Sequence, residues 1–79
     1  MWFVYILECK DKTLYTGITK DVERRFSEHK NKKGAKYTAS HQVDKVVYIQ
    51  KHATMSSALK RELQIKGLSR AEKKNLLKK

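Results

Sequence analysis

The run Trp2-Phe3-Val4-Tyr5-Ile6-Leu7 is apolar on both faces of an extended chain and is built almost wholly from β-branched and aromatic residues. A strand of that kind belongs at the centre of a sheet, with cover on both sides. Lys10-Asp11-Lys12 then turns the chain, and Leu14-Tyr15-Thr16-Gly17-Ile18 returns as a second strand. A three-residue hairpin loop favours glycine or asparagine at its left-handed position, and Lys12 falls there. This loop length places Cys9 opposite Thr13, Leu7 opposite Tyr15 and Tyr5 opposite Gly17. Tyr5 and Tyr15 become diagonal neighbours on one face, with space beside Tyr5 where Gly17 has no side chain. A two-residue loop would put the tyrosines on opposite faces.

Thr19 or Asp21 can cap a helix that runs to about Lys30. Within it Val22, Arg25, Phe26 and His29 follow the i, i+3, i+4, i+7 spacing of one helical face. Val22 and Phe26 should point inward, which carries Arg25 and His29 toward the sheet. Arg24, Glu23 and Glu28 read as surface. Residues 30–45 form a polar, basic connection with Gly34 as its turn. Val46-Val47-Tyr48-Ile49 is a third strand, with Tyr48 in the sheet core. Thr54 caps a second helix whose inward face reads Met55, Ala58, Leu59, Glu62, Leu63 and Lys66, and Gly67 ends it. Ser69-Arg70-Ala71-Glu72 is a capping box opening a short last helix. The expected fold is α+β: a small, mostly antiparallel three-stranded sheet flanked by helices, in the order β-β-α-β-α-α. With 79 residues there is room for one core, so residues 1–79 are expected to form a single domain.

Charge narrows the choice of partner. Nineteen Lys and Arg stand against eight Asp and Glu, a net charge of +11. Residues 1–29 carry five basic and five acidic groups, so residues 30–79, with fourteen and three, hold the whole excess. A field of that size attracts polyanions and releases their counterions on binding, which favours nucleic acid over an anionic membrane. Lys32, Lys33, Lys36 and Lys66 are candidate backbone contacts, and Tyr37, in a basic loop, can stack on a base or simply pack. No apolar run approaches the ~20 residues that span a bilayer, and no signal-peptide pattern opens the sequence. A cytoplasmic monomer is the expected state. Cys9 is the only cysteine, so neither an internal disulfide nor a cysteine-based zinc site is available.

Two helices thus each set a charged pair on a face that should be apolar, and the hairpin sets two tyrosines where they can meet them. Burying charge is costly unless it is paired or used. Phenol, guanidinium, imidazole, carboxylate and ammonium together suit phosphodiester hydrolysis. One carboxylate can hold a divalent metal with coordination sites left open for phosphate and water. A guanidinium grips phosphate oxygens, and a phenol near cations can take a proton from attacking water. The same spacing also arises when a boundary Arg or Lys snorkels outward, when tyrosines are core aromatics, or when a boundary histidine is merely satisfied.

Val4-Tyr5-Ile6, Tyr15-Thr16-Gly17, Arg25 with His29 one turn on, and Glu62 on a later helix resemble the signature of the GIY-YIG nuclease superfamily. The run Gly34-Ala35-Lys36-Tyr37-Thr38 and the ending Lys66-Gly67-Leu68-Ser69-Arg70 resemble its small stand-alone bacterial members. The first tripeptide departs from Gly-Ile-Tyr and the second has Thr16 in place of isoleucine, yet both keep the tyrosine in register. The resemblance implies a metal-dependent endonuclease acting on nucleic acid, DNA rather than RNA. In that reading Glu62 binds one Mg2+ or Mn2+, Arg25 clamps the scissile phosphate and Tyr15 activates water. Tyr5 positions water or substrate, and His29 shuttles a proton or bonds a phosphate oxygen. It further implies that Tyr5, Tyr15, Arg25, His29 and Glu62 line one concave patch on one side of the sheet. The larger family enzymes carry a separate DNA-recognition domain that this sequence does not supply. The alternative is a non-catalytic nucleic-acid-binding module on the same fold.

Overall fold

The computed structural model describes residues 1–31 and 40–77. The order is β1 (Trp2–Cys9), β2 (Leu14–Thr19), α1 (Val22–Lys30), β3 (Val43–His52), α2 (Met55–Lys66) and α3 (Arg70–Leu77). The antiparallel sheet runs β2-β1-β3, so the doubly apolar strand is central, as its composition requires. Gly34 and the candidate contacts Lys32, Lys33, Lys36 and Tyr37 lie outside the described residues.

The hairpin forms in the register that a three-residue loop dictates, with Leu7 opposite Tyr15 and Tyr5 opposite Gly17. The Cys9 N–H donates to the Thr13 carbonyl and the Lys12 N–H to the Cys9 carbonyl, both at 2.9 Å. Lys12 adopts φ 71°, the left-handed position the loop demands. Asp11 braces the turn by accepting from the Thr13 hydroxyl at 2.6 Å, and His41 meets its other oxygen at 2.6 Å.

Alternation along β1 sorts the core into two layers. Tyr5, Leu7 and Cys9 face one way and pack with Val43, Val46, Tyr15 and the α1 residues Val22 and Phe26. Val4 and Ile6 face the other way, against Ala58 and Ile65 of α2, with Val47, Tyr48, Leu76 and Leu77 around them. Each fully buried aliphatic side chain contributes about 1.5–3 kcal/mol through burial, so cover on both faces of β1 is the main stabilising arrangement.

Two expectations need correction. The third strand begins at Val43 rather than Val46, because Val43 buries against Cys9 and Lys45 pairs opposite Glu8 across the ladder. Irregularities in register opposite Ile6/Leu7 and Glu8/Cys9 hide the two-residue period in the sequence. The inward face of α2 is Ala58, Arg61, Glu62 and Ile65, with Ala58 and Ile65 fully buried. Leu63 is 67 % exposed, Met55 and Leu59 are exposed too, and so is Lys66. The set 58, 61, 62, 65 has the same helical spacing as the set read from the sequence, turned by about one residue. Ala58 prevails because its small side chain lets the helix lie close to Val4 and Ile6.

The helix ends follow their caps. The Asp21 carboxylate accepts from the Arg24 N–H at 3.1 Å, while the Thr19 hydroxyl takes the Asp21 N–H at 3.2 Å. The Thr54 hydroxyl accepts from the Ser57 N–H at 3.1 Å. Ser69 and Glu72 form the reciprocal capping box at 3.2 and 2.8 Å. No helix among the described residues is long and apolar enough to cross a membrane.

Candidate active site

The Tyr5 ring lies across Gly17. A Cβ on Gly17 would stand 2.6 Å from the Tyr5 hydroxyl oxygen and 2.8 Å from Cζ, so the missing side chain makes the slot that the phenol occupies. From there the Tyr5 hydroxyl meets His29 Nε2 at 2.9 Å. The Tyr15 ring completes a cluster, its centroid 6.5 Å from that of Tyr5 and 5.1 Å from that of His29. Four residues from three segments are joined when Arg25, one turn before His29 on α1, brings its guanidinium to the Tyr5 phenol.

Burial distinguishes these groups. Tyr5 is 2 % and His29 1 % exposed, whereas Tyr15 is half-buried and a third of the Arg25 side chain meets solvent. Burial pushes the Tyr5 pKa up to about 12, with Tyr15 and Glu62 adding to it and Arg25 opposing it. Desolvation therefore outweighs the neighbouring guanidinium, and Tyr5 keeps its proton near neutrality. Burial, then the Arg25 charge, lowers the His29 pKa below its ordinary 6.5 against the pull of Glu28. A neutral His29 and a protonated Tyr5 can share this hydrogen bond with either group as donor, according to the imidazole tautomer.

Glu28, read as surface, is the group the sequence reading missed. Its Oε1 pairs with Arg25 Nη1 at 3.0 Å and its Oε2 with Arg24 Nε at 3.6 Å. Glu28, first, and then Tyr5 hold the Arg25 pKa above its ordinary value against desolvation. The signal was available in the i, i+3 and i, i+4 spacing of acid and arginine on one helix. Around these groups Thr19, Lys20, Asp21, Arg24, Arg25 and Glu28 line a cavity of about 190 Å³. A larger cavity of about 220 Å³ lies away from the tyrosines, between the hairpin turn and α3.

Glu62 corrects the expectation of a site drawn on one side of the sheet. Its helix packs on the face of Val4 and Ile6, opposite the face that carries Tyr5 and Tyr15. A central strand apolar on both faces needs a helix on each, and α1 already covers the tyrosine face. β2 is one end of the sheet, and α2 packs against both β1 and β2. The Glu62 charge reaches Tyr5 and adds the smallest of the contributions that raise its pKa. The carboxylate is 15 % exposed and pairs with Lys66 Nζ at 3.4 Å.

Among the described residues no three His, Cys, Asp or Glu side chains gather as a metal cage. A single carboxylate nevertheless fits Mg2+ or Mn2+, which commonly take one or two carboxylates and complete their shell with water and substrate phosphate. Glu62, mostly buried yet open to solvent, is suited to such a site.

Comparison with known proteins agrees with this fold. The family model described as the GIY-YIG catalytic domain matches residues 1–75. A UPF0213 protein from Syntrophus aciditrophicus is 54% identical over 77 residues, covering 96% of this chain and 88% of its own. Another from Natronomonas pharaonis is 47% identical over 75 residues, covering 95% of this chain and 88% of its own. The solution NMR structure of the UPF0213 protein BH0048 from Bacillus halodurans is 41% identical and superposes with a TM-score of 0.59, covering 98% of this chain and 83% of that one. Such a domain implies a nuclease-type activity on a nucleic acid. The chain belongs to the GIY-YIG family and is similar to its small UPF0213 members.

Proposed function

We propose that the protein is a divalent-metal-dependent endonuclease, with DNA as its preferred substrate and the Tyr5–Tyr15–Arg25–His29–Glu62 constellation as its active site. The observation that carries this reading is the buried Tyr5–His29 pair, set between an arginine at the solvent margin and the half-buried Tyr15. A core has no need to enclose an imidazole and a phenol beside a guanidinium, and perturbed groups of this kind collect at reactive sites.

The groups divide the work by exposure. Arg25 bonds the phosphate oxygens and stabilises the charge that gathers on them in the transition state. Tyr15, the more accessible tyrosine, first gives its own proton to solvent, and its phenolate then takes the proton of the attacking water, a role that Tyr5 with a pKa of about 12 fills poorly. The inner Tyr5–His29 pair orients Tyr15 and Arg25 and offers a neutral imidazole as a proton store. At 1 % exposure His29 acts through Tyr5 rather than on a phosphate oxygen. Glu62 would hold the Mg2+ or Mn2+ ion, which supplies charge neutralisation and an acidified water when bound. Lys66 would release Glu62 to that ion and turn to a phosphate.

Labelled single- and double-stranded DNA incubated with the wild type should be cut with Mg2+ or Mn2+ and remain whole with EDTA. Arg25→Ala should lower turnover by ~100-fold or more with a far smaller change in affinity. Binding without cleavage under every metal condition would instead identify a nucleic-acid-binding module.

A further inference from the structure

The larger cavity, about 220 Å³, is lined by Lys12, Thr13, Leu14, Arg70 and Lys73. Three cations from segments nearly sixty residues apart meet there over a small apolar floor. Among the described residues Arg70 and Lys73 have no acidic partner within 4.0 Å, and Glu72 between them is engaged in its capping box. Lys12 is only loosely paired, 4.0 Å from Glu8, and its side chain is 70 % exposed. Gathering like charges without acids is unfavourable in the free protein and is offset when an anion is bound.

The loop adds an independent observation. Lys12 holds φ 71°, a backbone position where glycine or asparagine is less strained. A strained residue that persists invites a functional account. Here the side chain placed at a backbone cost is one of the cavity's three cations.

The position of the cavity relative to the active site is set by β2. Tyr15 and Leu14 are consecutive residues on opposite faces of this edge strand, Tyr15 in the catalytic cluster and Leu14 on the cavity floor. Gly17, beneath the Tyr5 hydroxyl, is four residues from Thr13, or roughly 14 Å at the usual strand rise.

We propose that Lys12, Arg70 and Lys73 form a second phosphate-binding cleft that holds the nucleic-acid backbone beyond the scissile phosphate, at the hairpin-turn end of β2. The inference rests on the nucleic-acid reading of the active site but not on cleavage.

The experiment is fluorescence anisotropy of a labelled 20-base-pair DNA duplex in EDTA across a salt series. The variants are Arg70→Gln/Lys73→Gln, Lys12→Gly and, as a charge-matched control, Lys51→Gln/Lys60→Gln. The double cleft variant should raise Kd by ~10-fold or more at low salt and reduce the salt slope by about two, one for each phosphate left without its cation. The control should change Kd by less than ~3-fold. Lys12→Gly should weaken binding while its melting temperature stays level or rises, which separates removal of the cation from unfolding of the hairpin. Equal Kd and slope for cleft and control variants, with the wild type binding, would overturn the cleft and leave the active-site reading standing. A wild type that does not bind the duplex would overturn both.

Discussion

The two tyrosines differ in what surrounds them more than in what they are. Tyr5 is sealed against His29 with its pKa pushed to about 12, and Tyr15 is the phenol that solvent reaches. Tyr15→Phe should therefore slow single-turnover cleavage more than Tyr5→Phe does. An equal or smaller loss in Tyr15→Phe would reassign the proton acceptor. His29 carries a separate prediction for stability. Its folded pKa lies below 6.5, so as pH falls through that value the unfolded chain takes up a proton that the native state refuses. Stability should fall as pH drops below about 6.5, and His29→Gln should flatten that slope in urea unfolding. Asp11 acts in the same sense but in another window. Its pKa drops from 3.8 to about 2, chiefly through Thr13 and then His41, so its contribution is present above pH 4 and lost as pH falls toward 2.

At the scale of elements, the hairpin is the part the active site depends on most directly. Gly17→Ala would drive a methyl into the Tyr5 ring, because a Cβ there stands 2.6 Å from the hydroxyl. Overpacking of this kind costs about 1–3 kcal/mol, and it should also displace Tyr5 from His29 and reduce cleavage. Thermal unfolding and turnover of this variant test both effects. The hairpin was also the most legible element, since loop length alone determines which residues share a face, and Lys12 took its left-handed position. Helix α1 was legible because Val22 and Phe26 admit only one inward face. Helix α2 was not. Leu59 and Leu63 define one apolar stripe and Ala58 and Ile65 another, and only the approach to Val4 and Ile6 decides between them. Burial of Ile65 rather than Leu63 predicts that Ile65→Ala costs about 2–5 kcal/mol and Leu63→Ala less than about 1. Glu62 lies on both candidate faces, which is why its inward position was legible although its side of the sheet was not.

Over the whole molecule, the sheet is a partition: tyrosine, histidine and arginine occupy one face, and the glutamate comes from the helix on the other. The net charge of +11 should make binding strongly salt-dependent and tolerant of sequence. Raising salt from 50 to 200 mM should weaken affinity by orders of magnitude if six or more phosphates are engaged, while the rate of the bound complex changes little. In the proposed mechanism Tyr15 and Glu62, packed against opposite faces, act on one phosphodiester bond. The decisive experiment is a double-mutant cycle on single-turnover cleavage, using wild type, Tyr15→Phe, Glu62→Ala and the double variant. Groups that serve one transition state are not additive, so the double variant should cut about as slowly as the slower single variant. Rate losses that multiply in the double variant, or a Glu62→Ala protein that cuts at the wild-type rate, would refute the shared site.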